Sequence, residues 1–278
     1  MKLSYIEKEF DTVKNTIKPN TVNSLKKDFI SLGLTEGAII IVHSSLSKIG
    51  WTVGGPVAVI DALMDVVTPK GTIIMPTFSS GNSEPSGWQY PPVPEDWWST
   101  IRKYIPAFHP DKMPTRAMGT ISETFRKYPN VIRSNHPITS FAAWGKHAKK
   151  IVKNHPLEND LDMNSPIGKI YKLSGQILLL GVPHLNNSSL HLAEYLCEYP
   201  GKNYINIGSA INVNKKRKWV SWKELDNISD DFDDLGRDFE QSINYQPQKV
   251  GQAEARLLSQ RDMVDFAVKW IMENRRED

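Results

Sequence analysis

One stretch limits what this chain can fold into more than any other. Residues 38–42 form a continuous apolar run, residues 43–50 are polar, Gly54, Gly55 and Pro56 follow, and a second apolar run closes the unit at 72–75. Each run is short and apolar at consecutive positions, as expected of a strand buried on both faces. Between them, Pro56 occupies a first helical position, and Ile60, Leu63, Met64 and Val67 share one helical face. Pro69, Lys70 and Gly71 make the turn back. A strand–loop–helix–strand unit of this kind predicts a partly parallel sheet covered by helices. Upstream, Thr21 is placed to cap a helix whose apolar face is Val22, Leu25, Phe29 and Leu32, with Gly33 as its stop. Downstream, residues 176–182 read as another buried strand. Ser259 can cap a terminal helix lined by Val264, Ala267, Val268 and Ile271. The expected fold class is α/β: a single domain over residues 1–278 with a central mixed, partly parallel β-sheet flanked by helices.

Composition narrows the function classes. With 40% hydrophobic and 23% charged residues over 278 positions, the chain is an ordinary globular sequence, with no internal repeat. Its apolar runs are too short to span a bilayer, and the acids among residues 1–9 argue against a signal peptide. A single cysteine, Cys197, rules out an intrachain disulfide and a multi-cysteine zinc site, and points to the reducing cytoplasm. Cys197 itself reads as core. A net charge of +3 makes no case for nucleic acid. Residues 79–114, rich in Pro and Trp, read as a long loop that is either a lid or wall of a site or a packed ornament. The basic run Lys215, Lys216, Arg217 and Lys218 reads as a solvated hairpin tip between two strands.

Four segments carry chemistry-bearing residues. Residues 43–56 lie where a strand gives way to a helix, and combine serine hydroxyls with main-chain N–H groups. This is an anion cradle, or only a polar connection. Residues 181–195 repeat the arrangement at the end of another strand, with His191 in the first helical turn and Glu194 three residues on. His191 is there a general base, or a buried histidine satisfied locally. His184, His191 and Glu194 are also metal-ligand types. Residues 133–142 suit a pocket wall or a surface turn. Residues 230–234, with four acids, are a helix start or an attractor of cations. No G-x-S-x-G nucleophile elbow is present.

Taken together, these segments resemble the aminoglycoside 3-N-acetyltransferase family. The matching residues include His43-Ser44-Ser45-Leu46, Thr72-Ile73-Ile74-Met75-Pro76-Thr77-Phe78, Pro114-Thr115-Arg116-Ala117-Met118-Gly119, Arg133-Ser134 with His136-Pro137, Ser165-Pro166, and Asn187-Ser188-Ser189-Leu190-His191-Leu192-Ala193-Glu194. They fall in order from about residue 21 to residue 271, and residues 91–102 are similar to the bacillar branch. The resemblance implies an acetyl-CoA-dependent N-acetyltransferase acting on the 3-amino group of a 2-deoxystreptamine ring or a related amine. Acetyl-CoA is the cosubstrate and no metal is required. It implies cofactor contacts from His43, Ser44, Ser45, Leu46, Ser47, Thr77, Ser79, Arg116, Met118 and Gly119. Catalysis falls to His191 as base, Glu194 as its orienter and Asn187 as an oxyanion donor, with Asp162 and Ser188 toward the acceptor. Acids at Glu158, Asp160, Asp162 and residues 230–234 are expected to attract a cationic acceptor. The expected partners are that small amine and a second copy of the chain in a homodimer, with no nucleic acid or membrane. The chain departs from the family pattern at Pro183-His184, at Ser188 in place of threonine, and at Ala117 in place of glycine. The competing readings are a metal-dependent hydrolase built on His184, His191 and Glu194, and a non-catalytic coenzyme A-binding protein.

Overall fold

The computed structural model describes residues 5–276, so Met1–Ser4 of the N-terminal reading lie outside the described residues. Its strands are β1 (Ile39–Ser44), β2 (Thr72–Pro76), β3 (Ile132–Arg133), β4 (Phe141–Gly145), β5 (Gln176–Leu180), β6 (Tyr204–Val213), β7 (Lys216–Leu225), β8 (Gln248–Val250) and β9 (Ala253–Ser259). The helices are α1 (Tyr5–Lys14), α2 (Val22–Ser31), α3 (Leu46–Ile49), α4 (Gly55–Val67), α5 (Glu95–Tyr104), α6 (Gly119–Phe125), α7 (Ala148–Val152), α8 (Pro166–Lys172), α9 (His191–Leu196), α10 (Phe232–Ser242) and α11 (Gln260–Asn274).

Seven strands form one sheet in the order β3-β4-β2-β1-β5-β9-β8, and β6 and β7 form a separate hairpin. The apolar run 38–42 becomes the central strand β1. It pairs in parallel with β2 (Ile41 opposite Ile74) and with β5 (Ile41 opposite Ile177). The outer pairings are antiparallel. The sheet is therefore mixed, as expected. Alternation along β1 divides the core: Ile41 joins a cluster with Leu192, Val264 and Ile271 on one face, whereas Ile40 and Val42 join Phe29, Val59 and Leu63 on the other.

The caps hold. Thr21 and Ser24 form a capping box on α2, and Ser259 accepts from the Asp262 N–H at the start of α11. Cys197 is buried, and the basic run spans the β6–β7 turn as a hairpin tip. Residues 79–114 are not loop throughout. They contain α5, with Glu95 and Asp96 in its first turn and Arg102 and Lys103 in its last, a charge order that suits the helix dipole. The segment is tied to the hairpin by Phe108 N–H to Ala210 O at 2.8 Å and Arg217 Nε to Ile105 O at 2.8 Å. Among the described residues no helix is long and apolar enough to cross a membrane.

Candidate active site

The three parallel strands all run out at one end of the sheet, and their ends open on a cleft of about 610 Å³. His43 and Ser44 come from β1, Pro76 from β2, and Val182 from the loop after β5. Such strand ends are where open α/β sheets bind ligands. Ser45, Leu46 and Ser47 bring the first turn of α3 into the wall. Gly55 and Pro56 bring the N-terminus of the thirteen-residue α4, whose dipole favours an anion. Gly54 (φ 84°) and Gly55 (φ 57°) turn the chain through left-handed conformations to aim that terminus at the cleft. Met118, Gly119, Asn186 and Ser188 add to the lining.

The helix-borne histidine is held from behind. His191 Nδ1 lies 2.6 Å from Glu194 Oε2, the i, i+3 contact that the spacing suggested. Glu194 is fully buried and its other oxygen accepts from Arg275 Nη1 at 2.6 Å and from the Ile228 N–H at 3.0 Å. The ring packs against Phe232 at 4.9 Å between centroids. The His191 side chain is 16% exposed, and no protein group among the described residues bonds its Nε2. With Nδ1–H donated to the carboxylate, Nε2 carries the lone pair. Beside it, burial and then the His191 ring push the His43 imidazole down to about 3, so His43 is neutral. Its Nε2 is buried without a partner, at a side chain that lines the cleft.

Of the predicted cofactor residues, the structure brings His43, Ser44, Ser45, Leu46, Ser47, Met118 and Gly119 together around the cleft. It turns three others away. Thr77 and Ser79 are buried acceptors for the Arg133 guanidinium, which donates to Thr77 O at 2.5 Å and Ser79 Oγ at 2.8 Å. Arg116 donates to Tyr90 O at 2.7 Å and lies 6.0 Å from the Trp88 ring, so it pins the 79–114 segment. Arg133 also holds Pro110 O and Met113 O, and burial pushes it down to about 10. The 133–142 segment is thus a buried tie with Arg133 on the wall of a second cavity, of about 630 Å³.

The Asn187 side chain is buried between two residues that line the cleft: its Oδ1 accepts from Ser189 N–H at 3.2 Å and its Nδ2 faces Met263 Sδ at 3.3 Å, so in this structure it caps a turn. Asp162 serves its own turn: its Oδ1 accepts from Asn164 N–H at 2.6 Å ahead of α8. Glu158 and Asp230 are exposed, whereas four other acids have internal partners or are buried. Burial, and then Glu224, push the Asp160 carboxyl up to about 8. Asp231 binds Arg275, Asp233 accepts from Leu185 N–H at 2.8 Å, and Asp234 pairs with Arg237. His184 does not join His191 and Glu194. Its Nε2 lies 2.7 Å from Glu240, and among the described residues no group of three ligand side chains is placed to hold a metal. Ala117 adopts φ 60°, a left-handed conformation that explains why glycine suits this position.

Comparison with known proteins places this arrangement in a class of acyl-transferring enzymes. A family profile described as "Aminoglycoside 3-N-acetyltransferase" matches residues 41–272, and the chain belongs to that family. It is 48% identical over 263 residues to the SPbeta prophage-derived aminoglycoside N(3')-acetyltransferase-like protein YokD of Bacillus subtilis, covering 94% of this chain and 96% of that one. Aminoglycoside N(3)-acetyltransferase VII of Streptomyces paromomycinus is 31% identical, covering 95% and 96%. The crystal structure of YokD superposes with a TM-score of 0.92 at 47% identity, covering 95% of this chain and 98% of that one. AAC-IIIb, solved as a binary complex with CoASH, and AAC-VIa, solved bound to sisomicin, each give 0.83 at 28% identity. They cover 94% and 93% of this chain respectively, and 99% of their own.

Proposed function

We propose that the chain transfers an acetyl group from acetyl-CoA to an amine, the 3-amino group of an aminoglycoside or a related acceptor, directly and with His191 as general base. One observation carries this reading: an imidazole locked from behind by Glu194 with its Nε2 unpartnered, close to His43 and three residues from Ser188, both of which line a cleft that also holds the anion cradle. The AAC-IIIb complex with CoASH and the AAC-VIa complex with sisomicin support both substrate classes.

The residues present fit a coenzyme A thioester. The α4 N-terminus and the hydroxyls of Ser44, Ser45 and Ser47 suit its phosphates, while Val42, Leu46, Pro76 and Val182 offer apolar wall to an uncharged arm. When bound, the thioester supplies an activated acyl carbon. An ammonium has no lone pair with which to attack that carbon. His191 Nε2 accepts the proton the amine must lose, and Glu194 stabilises the resulting imidazolium through Nδ1–H; as the C–N bond forms the thioester C–S bond breaks, and the imidazolium can return the proton to the departing thiolate, which leaves as free coenzyme A thiol. With Asn187 turned into the core, Ser188, which lines the cleft, is the remaining predicted side chain available to contact substrate. Neutral His43, its Nε2 unpartnered, lies close to His191 and adds no positive charge that would resist proton uptake there. The reducing cytoplasm suits both the cosubstrate and the lone Cys197.

The test is acetyl-dependent release of free coenzyme A thiol against a panel of aminoglycosides and singly charged amines, with the acetylated nitrogen located by NMR. The singly charged amines belong in the panel because several of the acids expected to attract a polycation, Asp162, Asp231 and Asp233 among them, are engaged in internal contacts. Acceptor-dependent thiol release with acetyl on the 3-amino group is the expected result. Acceptor-independent hydrolysis alone would overturn the proposal.

A further inference from the structure

Behind the His191–Glu194 pair stands a cation supplied from the far end of the chain. Arg275 follows α11 directly, three residues past the region matched by the family profile. Its side chain is 8% exposed. Nη1 donates to Glu194 Oε1 at 2.6 Å, Nε and Nη2 grip Asp231 at 2.7 and 2.9 Å, and Nη2 also reaches Ile228 O at 2.9 Å. The guanidinium lies 4.9 Å from the Tyr199 ring centroid. Its donors therefore reach two carboxylates and a carbonyl, a planar fork that lysine cannot reproduce.

We propose that Arg275 is a positioning residue for the acetyl-transfer base: it fixes Glu194 against His191 Nδ1 and, balanced by Asp231, sets how readily the imidazole takes up a proton. The inference rests on the reading of His191 as base. The physics is charge bookkeeping in a site with little water. A lone buried Glu194 would favour the imidazolium strongly, and the base would sit protonated and idle. Arg275 offsets that charge, and Asp231 in turn offsets Arg275. Around the relay also stand His43 from β1, held neutral by burial, Cys197 and Tyr199 beyond α9, both of which burial keeps in their protonated, uncharged forms, and Lys202, paired with Glu198 and 5.9 Å from the Tyr199 ring centroid. Asp231 is thus the relay charge that can be altered without touching the pair, whereas Arg275 acts on Glu194 directly.

The relay predicts shifts of opposite sign. The experiment compares kcat/KM against pH for the wild-type chain, Arg275→Met, Arg275→Lys and Asp231→Asn with one acceptor. The acceptor's own titration is then common to all four. Arg275→Met should move the acid limb to higher pH by about one unit and lower kcat. Arg275→Lys should restore the limb but only part of kcat. Asp231→Asn should move the limb the other way, to lower pH. Thermal melting identifies any variant that fails to fold, and Asp231→Asn keeps the inference exposed if Arg275→Met does. His191→Ala is run alongside. If it still transfers acetyl, the reading of His191 falls and the inference falls with it. If it is inactive while the limbs of the folded variants coincide with wild type, Arg275 is only a structural tie and the inference alone is overturned.

Discussion

Two histidines seven residues apart are held in nearly the same way, and the proposed function gives work to only one. His184 Nε2 meets Glu240 at 2.7 Å, and Arg256 clamps that carboxylate from the other side. His191 Nδ1 meets Glu194 at 2.6 Å, and Arg275 clamps that one. The difference is the second ring nitrogen. His184 Nδ1 is buried without a partner, and its ring lies so close to Gly236 that a β-carbon there would sit 2.1 Å from Cγ. His191 Nε2 has no such closure: its side chain is 16% exposed and lies close to His43, which lines the cleft. An imidazole–carboxylate–guanidinium chain is therefore not itself a signature of catalysis. It fixes a loop when both faces of the ring are closed, and it makes a base when one nitrogen is open to a reactant.

The comparison can be broken most severely by deleting each ring in turn. His191→Ala should lower acetyl-transfer kcat by 10² to 10⁴, roughly the contribution of a positioned general base, over and above the stability lost when buried Glu194 loses its partner. His184→Ala should cost stability alone. Urea denaturation should show a loss of about 2–3 kcal/mol, because Glu240 and Arg256 lose their neighbour, while the folded fraction keeps its turnover. Gly236→Ala sharpens the point without touching a polar group. The added methyl must displace the His184 ring, and a loss of about 1–3 kcal/mol is expected from overpacking. A neutral Gly236→Ala would mean that the His184 ring is not confined.

A third histidine adds a smaller, pH-dependent effect. His43 takes its proton near 6.5 in the unfolded chain and only at about 3 in the fold. Between those values the unfolded chain binds a proton that the native state does not. This share of stability is therefore present above pH 6.5 and is lost as the pH falls, by about 1.4 kcal/mol per pH unit. Urea midpoints measured from pH 6.5 to pH 4 should fall less steeply in His43→Asn than in wild type. Identical slopes would mean that His43 is not buried neutral. The smallest effect lies at the departure from the family pattern. Ala117→Gly should raise stability by about 0.5 kcal/mol, the relief of a left-handed alanine less the entropy that glycine adds to the unfolded chain. A lower melting temperature would contradict this.

What the chain's own pattern made legible follows from range. The strand at 38–42, the glycine-led helix behind it, and the Thr21 and Ser259 caps are set by neighbours a few residues away, and all are present. The His191–Glu194 pair was legible for the same reason, since three residues on a helix bring side chains together. Sequence position did not fix side-chain direction. Thr77, Ser79 and Asn187 stand beside the site in sequence, but their side chains turn toward Arg133 and Met263, partners 56, 54 and 76 residues away respectively. Arg275 was missed because 81 residues separate it from Glu194. No local spacing signals such a contact. The helix α5 had a readable signal in its acid-to-base charge order, masked by the surrounding prolines and tryptophans.

The central claim is that the open nitrogen of His191 takes the acceptor's proton while the cradle separately holds the cosubstrate. Single-turnover acetyl transfer by His191→Gln, with coenzyme A affinity measured on the same protein by calorimetry, tests it most directly. The account predicts affinity within about threefold of wild type and a transfer rate reduced by at least 10². Transfer at the wild-type rate, or loss of coenzyme A binding in step with the rate, would contradict it.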